Sequence, residues 1–164
     1  MKLNDLTATE ASKLLASKEI SSVELTQACL DRIAERNDEV GAFIHIDPEF
    51  SFRQAAIADA SESKSKLHGV PFGVKDVIDT KDFRTERGTV IHEGRQPLED
   101  AKCVKLMREA GAVLLGKLVT TEYAMFTANE TRHPLDLNRT AGGSSSGTGA
   151  AVADNMVPIA FGNQ

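Results

Sequence analysis

A single lysine interrupts an otherwise apolar run, Leu67-His68-Gly69-Val70-Pro71-Phe72-Gly73-Val74-Lys75-Asp76-Val77-Ile78-Asp79. Val70, Phe72, Val74, Val77 and Ile78 predict a largely buried strand. Burial disfavours the ammonium form and lowers a lysine's pKa, and a neutral lysine is a usable general base. Pairing of Lys75 with Asp76 or Asp79 at a strand end is equally compatible with the local sequence. Far downstream stands a second chemistry-bearing stretch, Gly142-Gly143-Ser144-Ser145-Ser146-Gly147, followed by the small-residue run Ala150-Ala151-Val152-Ala153. Glycine allows close backbone approach and positive φ, while serine hydroxyls both donate and accept.

Several familiar signatures fit this second stretch only superficially. Gly143 to Gly147 matches G-x-S-x-G, but a nucleophile elbow needs a hydrophobic strand directly before it. The preceding residues, His133 to Thr140, will not make a buried strand. A phosphate loop needs Gly-Lys-Ser/Thr, and no lysine follows Gly147 or Gly149; Val152 takes the third glycine position of G-x-G-x-x-G. A flexible linker would not run straight into an alanine-rich helix and an apolar strand. His45, His68, His92 and His133 show neither HExxH nor a Cys/His cluster, so no metal site is expected.

Elements that must position these residues follow from local chemistry. Thr7 and Glu10 form a capping box for a helix to about Ser17, and Ser21 and Glu24 open a longer helix to about Arg36. Gly41 stops it, and residues 42–46 read as a strand. Pro48 starts a further helix, ended by a Ser/Lys-rich loop from Ser61 to Lys66. Residues 82–97 are irregular. Asp100 caps a helix whose C′ residue is Gly111, and residues 112–115 form a short buried strand. Thr120 or Thr121 opens a short helix, residues 127–141 are a polar loop, residues 147–154 are helical, and residues 157–161 form a last strand. The alternation indicates an α/β fold with a mixed, mainly parallel sheet flanked by helices.

Composition agrees with a globular chain: 164 residues, 41% hydrophobic and 26% charged, with a net charge of −5. The acidic balance and interspersed charges argue against a nucleic-acid groove. No apolar run reaches the roughly 18–20 residues of a membrane span, and the N-terminus lacks a signal peptide's apolar core. Cys29 and Cys103 lack CxxC spacing and read as small buried hydrophobes of a reducing cytoplasm.

Taken together, these blocks resemble the amidase signature family. Gly69-Val70-Pro71-Phe72-Gly73-Val74-Lys75-Asp76 resembles its G-x-P-x-G-x-K-D stretch, and Gly142 to Gly147 with Ala150 to Ala153 looks like its signature proper. Gly111 to Lys117 and Thr121-Glu122-Tyr123-Ala124 match in kind and order. His133, Ala141 and Asn163 depart from the residues common in the family's loops. The resemblance implies one incomplete amidase domain over residues 1–164, with a helical N-terminal region (1–66) and the start of the amidase core (67–164). It also implies carboxamide hydrolysis by a Ser–cis-Ser–Lys triad, with Lys75 as general base and Ser144 as the bridging serine behind a cis peptide. Formation of the acyl-serine intermediate would release ammonia or an amine.

The family's nucleophile follows the last strand in a segment resembling G-T-Q-T-G/A-G-S. This chain reads Phe161-Gly162-Asn163-Gln164, so the resemblance implies that the attacking serine and the oxyanion hole lie beyond Gln164 and that residues 1–164 alone are inactive. Met125, Phe126, Thr127, Gly142 and Gly143 are candidates to contact substrate, and packing roles are as compatible with the first three. Gln164 stands where the family's tRNA-linked branch tends to carry aspartate, which leans towards a stand-alone amidase. The implied partner is a small amide, with no cofactor, no nucleic acid and no membrane, and a homodimer is possible for the full-length enzyme. The competing readings are a non-catalytic binding or assembly protein and, less favoured, a nucleotide- or phosphate-binding module.

Overall fold

The computed structural model describes residues 2–163. Its helices are α1 (Ala8–Ala16), α2 (Ser22–Val40), α3 (Pro48–Asp59), α4 (Lys102–Glu109) and α5 (Ser146–Ala153). The strands are β1 (Phe43–Ile46), β2 (Pro71–Lys75), β3 (Val113–Leu118), β4 (Arg132–His133), β5 (Asp136–Thr140) and β6 (Ile159–Phe161). Both capping boxes form as expected. Glu10 N donates to Thr7 Oγ1 and Thr7 N to the Glu10 carboxylate, and Ser21 and Glu24 repeat the arrangement. Asp47 caps α3 by accepting from Phe50 N, with Pro48 at the first helical position.

The main sheet has the order β1-β3-β2-β6. β1 runs antiparallel to β3, while β2 lies between β3 and β6 and is parallel to both. The sheet is therefore mixed and mainly parallel. Its two faces bury separate clusters. Leu115 and Leu118 pack with Leu25, Ile33 and Val40 of α2 and with Ala150 and Ala151 of α5. Phe72, Val74 and Leu114 pack with Val104 and Met107 of α4 and with Phe83. Successive strand residues point to opposite faces. Phe72 and Val74 therefore face α4, and Gly73 and Lys75 face the side of α5.

Four local expectations change. α2 continues to Val40, where Gly41 at φ 65 closes it. β3 extends to Leu118 and so carries a second lysine into the sheet. Residues 127–141, expected as a polar loop, contain the β4–β5 hairpin; its polar, largely exposed residues lack the apolar alternation that marks a half-buried strand. Asp100 does not cap α4: its carboxylate accepts from Lys81 N and pairs with Arg108 at 2.9 Å. These tertiary partners displace the local cap, and Ala101 occupies the N-cap position without a side-chain bond. Cys29 is fully buried, whereas Cys103 is only partly so. Among the described residues no helix is long and apolar enough to cross a membrane.

Candidate active site

β2 delivers Lys75 to its C-terminal end with the side chain wholly buried, 0% exposed. Its Nζ is hydrogen-bonded to Ser144 Oγ at 2.7 Å and donates to the Asn163 carbonyl at 2.9 Å. Neither nearby aspartate pairs with it. Asp76 is engaged by Lys117 at 3.2 Å and Asp79 by Arg95 at 2.7 Å. With no carboxylate among the described residues to hold the proton, burial pushes the Lys75 pKa below the ordinary lysine value. The strand-end salt bridge that the sequence allowed is thus not formed among the described residues.

Ser144 follows a cis peptide bond from Gly143 and is 3% exposed. Its carbonyl accepts from Thr121 N at 3.1 Å, and a Cβ at Gly143 would come within 2.8 Å of Thr121 Cγ2. Only a glycine lets the backbone pass Thr121 this closely. Ser145 Oγ donates to the Asn163 carbonyl at 3.0 Å, so that one oxygen is shared by Ser145 and Lys75. Ser146 Oγ accepts from Asn129 Nδ2 at 2.6 Å. Gly147 N donates to the Val119 carbonyl at 3.0 Å, seating the start of α5 against the end of β3. At the far end of α5, Asp154 receives Arg32 and Arg36 of α2 at 3.0 and 3.3 Å. α5 is thereby fixed at both ends, and the three serines with it.

Met125, Phe126 and Thr127 lie on the surface, Met125 at 59% and Phe126 at 94% exposed, so they do not pack in the core. Their segment leaves the site from beside Ser144, because Thr121 Oγ1 donates to the Met125 carbonyl at 2.8 Å. Tyr123 and Ala124, in the short turn before Met125, hold φ of 47° and 59°. Such values are uncommon for residues with a Cβ. Gly142, at φ 79, and Gly143 are exposed. Gln164 lies outside the described residues.

Sequence reasoning missed the role of Lys117, which is also 0% exposed. Besides Asp76, it reaches the Ile78 carbonyl at 3.0 Å, the Arg84 carbonyl at 3.2 Å and the Thr85 hydroxyl. The second Asp76 oxygen accepts from Glu86 N and Arg87 N at 3.0 and 2.9 Å. Burial pushes the Asp76 carboxyl up and the Lys117 ammonium down, and their attraction opposes both. The signal was present: Lys117 follows an apolar run of the same kind that marks Lys75. From Arg87 the chain of contacts continues through its carbonyl to Tyr123 N at 2.9 Å, and so towards Thr121 and Ser144. Among the described residues no group of three or more His, Cys, Asp or Glu side chains is placed to hold a metal.

The family model described as Amidase matches residues 24–164. Among curated proteins, the chain is 43% identical over 169 residues to a glutamyl-tRNA(Gln) amidotransferase subunit from Roseiflexus castenholzii, covering 98% of this chain and 34% of that protein. The same-named protein of Geobacter sp. strain M21 is 42% identical, with 99% and 35% covered. The chain thus spans about a third of the length of these relatives. Among solved structures, the peptide amidase of Stenotrophomonas maltophilia matches with a TM-score of 0.87 and 31% identity, over 95% of this chain and 35% of that one. A fatty acid amide hydrolase matches with a TM-score of 0.91 and 28% identity, over 98% and 30%.

Proposed function

The chain belongs to the Amidase family, and from that membership we propose that it forms the N-terminal part of a single amidase domain that cleaves a carboxamide C–N bond. Residues 1–66 would be its helical N-terminal region, which also lends β1 to the sheet, and residues 67–164 the start of its core. The observation that carries the reading is the 2.7 Å contact between Lys75 Nζ and Ser144 Oγ, both buried. Lys75 acts as general base through Ser144. As the attacking serine oxygen adds to the carboxamide carbon, its proton passes to the Ser144 oxygen, and the Ser144 proton passes to Lys75. Collapse of the tetrahedral adduct breaks the C–N bond, and the same route returns the proton to the leaving nitrogen. Water then attacks the acyl-serine with the same base.

The attacking serine and the donors for the oxyanion belong, in this reading, beyond Gln164. The hold of Lys75 and Ser145 on the Asn163 carbonyl supports this, because it places residue 163 beside the base. Residues 1–164 alone are therefore expected to release no ammonia or amine.

The named relatives at 42–43% identity favour one component of an amidotransferase over the stand-alone amidase suggested by Gln164. The leaving ammonia would then be handed to partner proteins for transfer to a glutamyl-tRNA, in the cytoplasm, in place of a homodimer acting alone. Met125, Phe126, Thr127, Gly142 and Gly143 would contact the amide donor. In the full-length protein, Lys75→Ala and Ser144→Ala should each lower ammonia release from glutamine or a simple amide by at least about 10²-fold while circular dichroism stays native. Wild-type turnover in either folded variant would reject the assignment.

A further inference from the structure

We propose that Lys117 is a positioning residue for the base: by holding the Asp76 carboxylate on the opposite face of the sheet, it leaves Lys75 facing Ser144 rather than its neighbouring aspartate. This rests on the reading of Lys75 as the general base. Asp76 follows Lys75 directly and is the nearest carboxylate in sequence from which a salt bridge to the base could form. Such a pair would favour the ammonium and withdraw the base at neutral pH. Asp76 is also the first residue beyond β2; its N still donates to the Leu118 carbonyl at 2.9 Å, so the backbone is held and the carboxylate is what remains to be fixed. What fixes it is Lys117, reached across from β3 at 3.2 Å, with the Glu86 and Arg87 amides taking the other oxygen.

Lys117 is itself pinned by the Ile78 and Arg84 carbonyls and the Thr85 hydroxyl, so its ammonium cannot follow Asp76 elsewhere. The other charged groups around the pair are already engaged. His45 of β1 contacts Glu86 at 2.8 Å, and Asp79 after β2 holds Arg95 at 2.7 Å. The loop after β2 adds the cations Arg84 and Arg87. Around Lys75, the loop before α5 contributes hydroxyls and residue 163 a carbonyl. The two buried lysines thus divide the work, one neutralising the adjacent carboxylate and the other left to take a proton from Ser144.

The test is the pH profile of kcat/KM for the full-length protein. A base of raised pKa loses its proton later, so the rising limb moves to higher pH. Lys117→Gln, which keeps a donor for Ile78 and Thr85, and the harsher Lys117→Met should each move that limb up by about one pH unit. Asp76→Asn/Lys117→Gln removes both charges and should return it to the wild-type position. An unmoved limb in a folded single variant overturns the proposal, as does a shift that the double variant fails to reverse. Lys75→Ala, assayed alongside, separates the two claims. Retained turnover there would sink the base assignment itself, whereas its loss with an unmoved Lys117→Gln limb would sink only the role given to Lys117.

Discussion

Gly147→Ala should lower both stability and turnover, although alanine is the better helix former. The added Cβ would stand 2.3 Å from the Ala42 carbonyl oxygen and 2.5 Å from Val119 N, where real Cβ atoms keep at least 3.0 Å. Both neighbours are backbone, held by the Val119 N to Ala42 O bond of 2.9 Å, so neither can swing aside. α5 must instead retreat by roughly 0.7–1.1 Å, an overpacking cost of about 1–3 kcal/mol. The Gly147 N to Val119 O bond is lost as well, about 1 kcal/mol, which roughly cancels the helix-propensity gain of about 1 kcal/mol. A net loss of about 1–3 kcal/mol remains. Because Ser144 rides on the start of α5, a shift near 1 Å should also cost about 10²-fold in turnover.

Gly149, two residues on in the same helix, is the internal control. Nothing lies within 4 Å of its Cβ position, so Gly149→Ala should gain about 0.5–1 kcal/mol and leave turnover unchanged. Urea unfolding and amide turnover of the full-length variants measure both effects. A Gly147→Ala protein as stable and as active as wild type would refute the claim that backbone contact seats the serines.

Two further outcomes follow from burial. Lys75 has its folded pKa depressed below 10.5, so the unfolded chain binds the extra proton and wild-type stability rises with pH up to that value. Measured against Lys75→Met, wild type should therefore gain ground as pH is raised towards 10.5; a constant gap would contradict a desolvated lysine. Burial also pushes the Cys29 thiol up to about 12. A maleimide at about pH 8, near the ordinary thiol pKa, should label the partly exposed Cys103 well before Cys29, and equal rates in native protein would show that the α2 core opens readily.

Much of this was legible where local chemistry decides the outcome. The Thr7–Glu10 and Ser21–Glu24 boxes carry their own hydrogen bonds within one turn, so neighbours in sequence suffice to see them. Lys75 announced itself as a charge among Val70, Phe72 and Val74, and the serine stretch as glycines beside hydroxyls. What escaped depends on distant partners. Asp100 reads as a cap until Lys81 and Arg108 are beside it, and Lys117 reads as lying past a strand that ends at residue 115 until Asp76 and Thr85 meet it. The β4–β5 hairpin escaped because it rests largely on backbone pairing of polar residues, which leaves no periodic apolar trace.

The central place of β2 has a consequence for how the protein is made. Its two parallel neighbours begin at Val113 and Ile159, so neither edge of this apolar strand can be satisfied soon after it is synthesised. At about 5–20 residues per second, roughly 5–20 seconds separate the appearance of Lys75 from that of Asn163 on a ribosome. During that interval the lysine remains hydrated and ordinary, and Phe72 and Val74 are open to other chains. Non-local pairing of this kind folds slowly. The base therefore acquires its unusual environment only once residue 163 has been made, and until then nascent chains are exposed to misassociation through the open edges of β2.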